Sequence, residues 1–162
     1  MSFFNSHVVV SLISLTFALS GATASHTKAA ATPLTKEDQA KDSHYMAVQM
    51  TAAADKVEKF LSDEVAKRLN DPSSVDGSTK ECLIVCEEVY GSAVDALKKG
   101  MKSVAAGDFY TANIAVSAFL TDIDTCDDCF SDAAAPEFLR RFDSWAKGVG
   151  DDVLERIAKY ST

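Results

Sequence analysis

The sequence predicts an all-α protein, an up-down-up-down four-helix bundle stapled by disulfides. Three observations predict this fold. Proline and glycine are scarce, with 3 and 7 in 162 residues, and no segment alternates apolar and polar side chains as a half-buried strand does. Four segments repeat apolar residues at helical spacing. The four cysteines lie in the second and third of these segments, where bonds between them would join two helices.

The first predicted helix runs from about Thr35 to Leu69. It ends where Asn70 and Asp71 precede Pro72, because a residue before proline is pushed out of the helical backbone region. Its apolar face consists of seven residues, with Met46 and Met50 expected in the core: Met46, Met50, Ala53, Val57, Leu61, Val65 and Leu69.

The second predicted helix begins with a capping box at Ser78 and Glu81, a pair that satisfies free backbone amides reciprocally. Gly107 suits the left-handed position that ends a helix. The apolar stripe between these limits has seven members: Cys82, Cys86, Val89, Ala93, Leu97, Met101 and Val104.

Asp108 is placed to cap the third helix, and Pro136 suits the first position of the fourth. Gly148 and Gly150 weaken the fourth helix locally and predict a bend there. The predicted buried face of the third helix holds Ala112, Ala115, Val116, Phe119, Ile123, Cys126 and Phe130. That of the fourth holds Phe138, Phe142, Trp145, Val149, Val153, Ile157 and Tyr160.

The N-terminal residues predict a signal peptide at 1–24 and hence secretion. Val8 to Leu19 is nearly all apolar, and Ala22, Thr23 and Ala24 give the small-residue pattern of a cleavage site. The apolar run is too short to cross a bilayer as a helix, which takes about 20 residues. Residues 25–34 are expected to form a flexible arm, and residues 35–162 the bundle domain.

The charge distribution argues against nucleic-acid and membrane partners for the mature chain. Its 16 basic and 24 acidic residues give a net charge of −8, which phosphate backbones and anionic lipids repel. The charge imbalance is local, because the run from Asp122 to Asp132 near the end of the third helix contains acidic residues and no basic one. Without the sharp-turn glycine of a calcium loop, this run is either a solvated helix end or a docking patch for a basic protein surface. Its members are Asp122, Asp124, Asp127, Asp128 and Asp132.

The cysteines occupy matching heights on the second and third helices. In an antiparallel hairpin turning at residue 106, Cys86 lies opposite Cys126, and Cys82 lies opposite Cys129. Bonds within one helix are disfavoured, because Cβ atoms one turn apart are about 5–6 Å from each other and a disulfide needs about 3.8 Å. We therefore expect the bonds Cys86–Cys126 and Cys82–Cys129. The alternative is a four-thiolate zinc site, which oxidation of secreted thiols disfavours.

Several segments resemble those of plant pectin methylesterase and invertase inhibitors. Cys86 to Tyr90, followed by Ala93 and Leu97, resembles the C-x3-Y-x2-A-x3-L element of that family. The segments Asp108 to Asn113, Ser117 to Thr121 and Thr125 to Phe130 are similar to further family elements. The resemblance runs from about Asp42 to Tyr160. It implies an extracellular four-helix bundle with a disulfide between the second and third helices. It also implies inhibition of a cell-wall carbohydrate-active enzyme by stoichiometric binding over the active-site cleft.

Two departures from the family pattern bear on inhibition and on the choice of target, respectively. The family's N-terminal hairpin carries its own disulfide, and no cysteine lies between Ser25 and Lys41, whereas Cys82 and Cys129 are additional. The invertase-directed branch carries Pro-Lys after a Gly-Asp pair like Gly107 and Asp108, and here Phe109 follows directly. The resemblance therefore points to pectin methylesterase. The alternatives are an invertase inhibitor, a non-inhibitory relative, and a carrier of a small ligand between the first and fourth helices, where alanines are frequent.

The sequence does not predict an enzyme, a metal site or a cofactor. The mature chain holds only His26 and His44, which form no recognisable Ser-His-Asp or Cys-His arrangement, and it lacks a glycine-rich phosphate loop.

The candidate partner-binding residues are Asn113, Ser117 and Thr121, which recur every four residues along the third helix. Phe109 and Tyr110 at the preceding turn are either exposed contacts or folded back onto the end of the bundle. Trp145 is expected in the core.

Overall fold

The computed structural model describes residues 34–71, 73, 75–130 and 134–161, and Leu34–Thr162 cluster as one compact unit. The first helix combines α1 (Lys36–Phe60), a π-helical turn (Leu61–Val65) and α2 (Ala66–Asn70). It is followed by α3 (Gly77–Ala105), α4 (Phe109–Cys129) and α5 (Glu137–Ala158). The predicted four-helix architecture is thereby confirmed over the described ranges. The predicted signal peptide and the arm up to Pro33 lie outside them.

The helices close into a four-sided bundle. α3 packs against both α1 and α4, and α5 packs against both α4 and α1, so that α1 and α4 occupy opposite corners. Met46 and Met50 are fully buried, as predicted. The other three helices contribute further large side chains that are fully buried, namely Tyr90 and Leu97 from α3, Phe119 and Ile123 from α4, and Leu139 and Ile157 from α5. None of the described helices is long and apolar enough to cross a bilayer.

The helix starts follow side-chain capping, with one correction to the sequence analysis. α1 begins with a capping box in which Thr35 and Asp38 bond each other's backbone amides at 3.1 Å. The box predicted at Ser78 and Glu81 is wrong, because Asp76 lies two residues earlier and its carboxylate accepts the Thr79 amide at 2.8 Å. The Ser78 hydroxyl donates to that same carboxylate at 2.7 Å, so it supports the cap instead of forming it.

The turn between α3 and α4 matches its prediction. Gly107 has φ of +74°, a left-handed conformation that favours glycine. Asp108 then caps α4 by accepting the Thr111 amide at 2.9 Å. Pro136 directly precedes α5, whose helical backbone continues through Gly148 and Gly150 to Ala158.

Aromatic rings fill the space between α1 and α5. The rings of Phe60 and Phe142 stack with centroids 3.7 Å apart, and Tyr90 meets both from α3. Phe60 ends α1 just before the π-helical turn, where the Ala66 amide bonds the Leu61 carbonyl five residues back. At the Phe60 end of α1, the space between α1 and α5 is therefore occupied by the protein's own aromatic side chains.

The buried face of α5 differs from the predicted stripe. Phe142, Val153 and Ile157 are buried as expected, and Tyr160, beyond the end of α5, is half-buried. Phe138, Trp145 and Val149 are also only half-buried, at the edge of the core. Their places inside are taken by neighbours one position along the helix. The buried residues of α5 are Leu139, Phe142, Asp143, Ala146, Gly150, Val153 and Ile157.

Candidate functional site

Two disulfides join α3 to α4. Cys86 bonds Cys126 with a Cα separation of 4.7 Å, and Cys82 bonds Cys129 with a Cα separation of 5.5 Å. These are the pairs that the register of the hairpin predicts. The zinc alternative is excluded, because all four sulfurs are used in the two bonds. α4 is thus tied to α3 at its C-terminal end by the disulfides and at its N-terminal end by the tight turn at Gly107.

The outward surface of α4 carries a continuous exposed stripe. Its residues follow one another at spacings of three or four, or sit side by side, so that they share one side of the helix. We call this stripe the α4 face. It comprises Tyr110, Ile114, Ser117, Ala118, Thr121 and Thr125, all exposed.

The predicted contact residues are distributed unequally with respect to the α4 face. Ser117 and Thr121 are exposed within it, and Asn113 is half-buried at its edge. Tyr110 is 74% exposed. Phe109 is only 5% exposed, because its ring turns inward and stacks on Tyr160 with centroids 4.8 Å apart. Of the two alternatives for Phe109, the structure shows the ring folded back onto the end of the bundle, so Phe109 is corrected as a candidate contact residue.

The apolar and small members of the α4 face were not predicted from the sequence. Ile114 is 47% exposed, although an isoleucine within a helix is assigned to the core by default. Its position relative to Ala112, Val116 and Phe119, all buried, was the available signal. A residue placed five positions before a core residue lies on the far side of the helix.

Two threonine hydroxyls of the α4 face are arranged as hydrogen-bond acceptors. The Thr121 hydroxyl donates to the Ser117 carbonyl at 3.0 Å, and the Thr125 hydroxyl donates to the Thr121 carbonyl at 2.8 Å. In Thr121 and Thr125 the single hydroxyl proton is thus used within the helix, which leaves the oxygen lone pairs of these exposed side chains available as acceptors. The middle of the α4 face therefore suits a partner surface that presents N–H or ammonium donors.

The acidic run extends the C-terminal end of this surface. Lys147 of α5 bridges Asp124 at 2.9 Å and Asp127 at 2.5 Å. Burial raises the pKa of Asp122, which is half-buried. Asp128 is exposed and follows Thr125 by three residues, so it continues the stripe. Asp132 lies outside the described residues. The run is therefore partly neutralised against α5 and partly presented to solvent.

Comparison with known proteins places this chain in a family. The sequence profile of plant invertase/pectin methylesterase inhibitors matches residues 23–151. A crystal structure of a pectin methylesterase inhibitor from Arabidopsis thaliana is similar, with a TM-score of 0.54 and 20% identity over 79% of each chain. Mutant form A of a pectin methylesterase inhibitor from Arabidopsis gives a TM-score of 0.53 and 20% identity over 75% of each chain.

At 20% identity, the similarity to these two solved structures shows that this chain has the same fold as they do. No curated protein matches the sequence significantly. The family profile, in contrast, spans most of the 162 residues and includes α1, α3, α4 and most of α5. The chain belongs to the plant invertase/pectin methylesterase inhibitor family.

Proposed function

We propose that this protein is a secreted inhibitor of pectin methylesterase that binds the enzyme stoichiometrically and covers its active-site cleft. Membership of an inhibitor family supports the general role. The choice of pectin methylesterase over invertase rests on Phe109 directly following Gly107 and Asp108. Secretion to the cell wall agrees with the predicted signal peptide at 1–24 and with two disulfides, which persist in oxidising compartments.

The observation that carries the proposal is the exposed and rigid α4 face. The face belongs to a continuous helix that two disulfides and a tight turn fix to α3. A surface fixed before binding loses little conformational entropy when the complex forms, which leaves more of the contact energy as affinity.

The chemistry of the α4 face changes along its length. Tyr110 and Ile114 form an apolar end, Ser117, Thr121 and Thr125 supply acceptors in the middle, and Asp128 marks an acidic end. Tyrosine is enriched among residues that dominate binding energy. Carboxylates near an interface speed association with a basic partner, and salt weakens that effect. The face therefore fits an enzyme cleft whose rim presents donor groups and positive charge.

An inhibition assay against both candidate targets tests the proposal. Purified pectin methylesterase and purified invertase are titrated in parallel with the secreted protein at several pH values. We expect pectin methylesterase activity to fall to a plateau at one inhibitor per enzyme. Inhibition of invertase alone would move the assignment to the alternative target. No inhibition of either enzyme at any pH would identify a non-inhibitory relative.

Arginine substitutions locate the contact surface. We expect Ser117→Arg and Thr121→Arg to weaken inhibition about tenfold or more, as replacement of central interface residues does. Thr51→Arg is the matched control: Thr51 is also exposed, its hydroxyl donates to the carbonyl four residues earlier at 2.8 Å, and it lies on α1 at the opposite corner. Equal potency of all three folded variants would exclude the α4 face.

A further inference from the structure

A carboxyl group is buried in the centre of the bundle. Asp143 of α5 is 1% exposed. It follows Phe142 on the buried face of α5, whose other members are apolar or glycine. A buried carboxylate without a positive partner is costly, because it loses its hydration. The inhibitor role proposed above does not use this group.

The contacts of Asp143 leave one of its two carboxyl oxygens without a donor. The Tyr90 hydroxyl donates to Oδ1, while Oδ2 has no hydrogen-bond partner within the described part of the chain. The polar side chain next to it from α4 is Asp127, another carboxyl that cannot donate to Oδ2 when ionised. A proton on Asp143 removes this mismatch, because Oδ2–H can then donate to Asp127.

One proton would complete a chain of hydrogen bonds across three helices. Tyr90 of α3 donates to Asp143 of α5, the protonated Asp143 donates to Asp127 of α4, and Lys147 of α5 donates to Asp127 at 2.5 Å. Lys147 also reaches Asp124 at 2.9 Å. Without the proton, the buried carboxylate of Asp143 faces the half-buried carboxylate of Asp127.

The groups around Asp143 favour the neutral form on balance. Burial is the main cause that raises the pKa of Asp143, and the Asp127 carboxyl adds to it; Tyr90 and Lys147 act in the opposite direction. The result is a pKa of about 7 for Asp143. Burial and the nearby Asp143 raise the pKa of Tyr90, so the phenol keeps its proton. From α1, the uncharged ring of Phe60 packs on Tyr90.

We propose that Asp143 is a proton switch, which ties α5 to α3 and α4 while it is protonated and loosens α5 when it ionises. The proton is released to solvent, and the two carboxylates of Asp143 and Asp127 then repel each other within the bundle. The proposal concerns the bundle itself and holds whichever enzyme the protein inhibits.

The direction of the pH effect follows from proton linkage. The pKa of Asp143 is 3.8 as an unperturbed side chain and about 7 in the folded protein. Between these values the folded state keeps the proton and the unfolded state loses it, so stability falls as pH rises. The unfolding equilibrium constant should increase about tenfold per pH unit in that interval and level off above it.

Asp143→Asn separates this group from the other titrating groups. The Asn oxygen accepts from Tyr90 and its NH2 group donates to Asp127, which reproduces the protonated acid without a charge change. Denaturant unfolding is measured for both proteins from about pH 5 to pH 8. We expect the ratio of their unfolding constants to change about tenfold per unit up to pH 7. Asp151→Asn, an exposed position on the same helix, should retain the wild-type pH dependence.

A carboxyl-carbon NMR titration of the unmodified protein provides the second test. We expect the Asp143 signal to titrate with a midpoint near 7. An Asp143 that is ionised at pH 5, or identical pH profiles for wild type and Asp143→Asn, would overturn the proposal. If the variant does not fold, the titration alone decides.

Discussion

At Gly150 the α5 backbone approaches α4 closely. A Cβ placed there would overlap the side chain of Leu120, with its Cγ at 2.8 Å, and would lie 3.2 Å from a ring carbon of Phe119. At Gly148, two residues earlier, the described residues place no atom within 4 Å of the corresponding Cβ, apart from the local helix backbone and chain neighbours. The two glycines therefore have different reasons to be present, although the sequence analysis treated both as weak points of the helix.

These positions give a paired prediction for alanine. We expect Gly150→Ala to lower the free energy of unfolding by about 1–3 kcal/mol, the usual effect of overpacking. Gly148→Ala should raise it by up to about 1 kcal/mol, because alanine favours an exposed helix interior. Urea unfolding of both variants measures the difference. A Gly150→Ala protein as stable as wild type would show that Leu120 moves aside without cost.

The burial of Asp143 and its partners could not be predicted from the sequence. An aspartate between Phe142 and Ser144 has the local pattern of a surface position, and neither Tyr90 nor Asp127 is near it in sequence. Only the packing of α3, α4 and α5 brings the three together. Ser117 and Thr121 could be placed correctly because their exposure depends on the period of a single helix.

At the scale of the elements, the start of α3 distinguishes two capping schemes. Asp76 accepts hydrogen bonds from Ser78 and from the Thr79 backbone, and these bonds lower the pKa of Asp76 to about 2. We expect Asp76→Ala to reduce the thermal midpoint by more than Ser78→Ala does, because the first removes the acceptor and the second one of its donors. The capping box predicted from sequence requires the opposite order, so thermal unfolding of the two variants decides between them.

The disulfides differ in burial although their sequence separations, 40 and 47 residues, are similar. Cys86 and Cys126 are fully buried, whereas Cys129 is exposed. Replacing Cys86 and Cys126, the inner pair, by serine should lower the free energy of unfolding by about 2–5 kcal/mol. Replacing Cys82 and Cys129, the outer pair, should lower it less, because less packing is lost. Denaturant unfolding of the two double variants provides the measurement. A larger loss of stability on replacing Cys82 and Cys129 than on replacing Cys86 and Cys126 would contradict this order.

The sequence predicted the order of the helices and the cysteine pairing well, because both depend on counting along one helix or one hairpin. The prediction of which α5 residues are buried was less accurate. Large aromatic side chains at helical spacing were assigned to the core. In the structure, however, Phe138 lies under the Arg68 guanidinium at 3.8 Å and Trp145 lies under the Lys56 ammonium at 3.5 Å. Such rings cover the edge of a core beneath a cation, and that arrangement depends on neighbouring helices.

At the scale of the whole molecule, Asp42 joins the beginning of the bundle to its end. Its carboxylate accepts from Arg156 at 2.9 Å, from Tyr160 at 2.8 Å and from Lys159 at 3.4 Å. The Arg156 guanidinium also stacks over the Tyr45 ring at 3.8 Å. This cluster fixes α1 against the C-terminal end of α5 and closes the fourth side of the bundle.

Asp42 and Asp143 make stability depend on pH in opposite directions. Burial raises the pKa of Asp42, but the hydrogen bonds from Tyr160 and Arg156 and the charge of Lys159 outweigh it, and the pKa lies below the ordinary 3.8. A lowered pKa stabilises the folded state above the unfolded value, and this contribution is lost as pH falls through the folded value. Since Asp143 destabilises the bundle as pH rises toward 7, the protein should be most stable in mildly acidic solution.

Asp42→Asn tests the acidic limb of that profile. We expect the variant to lose about 1–3 kcal/mol at pH 5, where the charged hydrogen bonds are intact in wild type. The difference should shrink as pH falls below 3.8, because the wild-type carboxylate also becomes protonated. Far-ultraviolet circular dichroism during urea unfolding at several pH values gives the comparison. Asp55→Asn, an exposed position on the same helix, should follow wild type throughout. A constant difference between Asp42→Asn and wild type down to pH 2 would mean that packing, and not the ionised carboxylate, holds the two ends together.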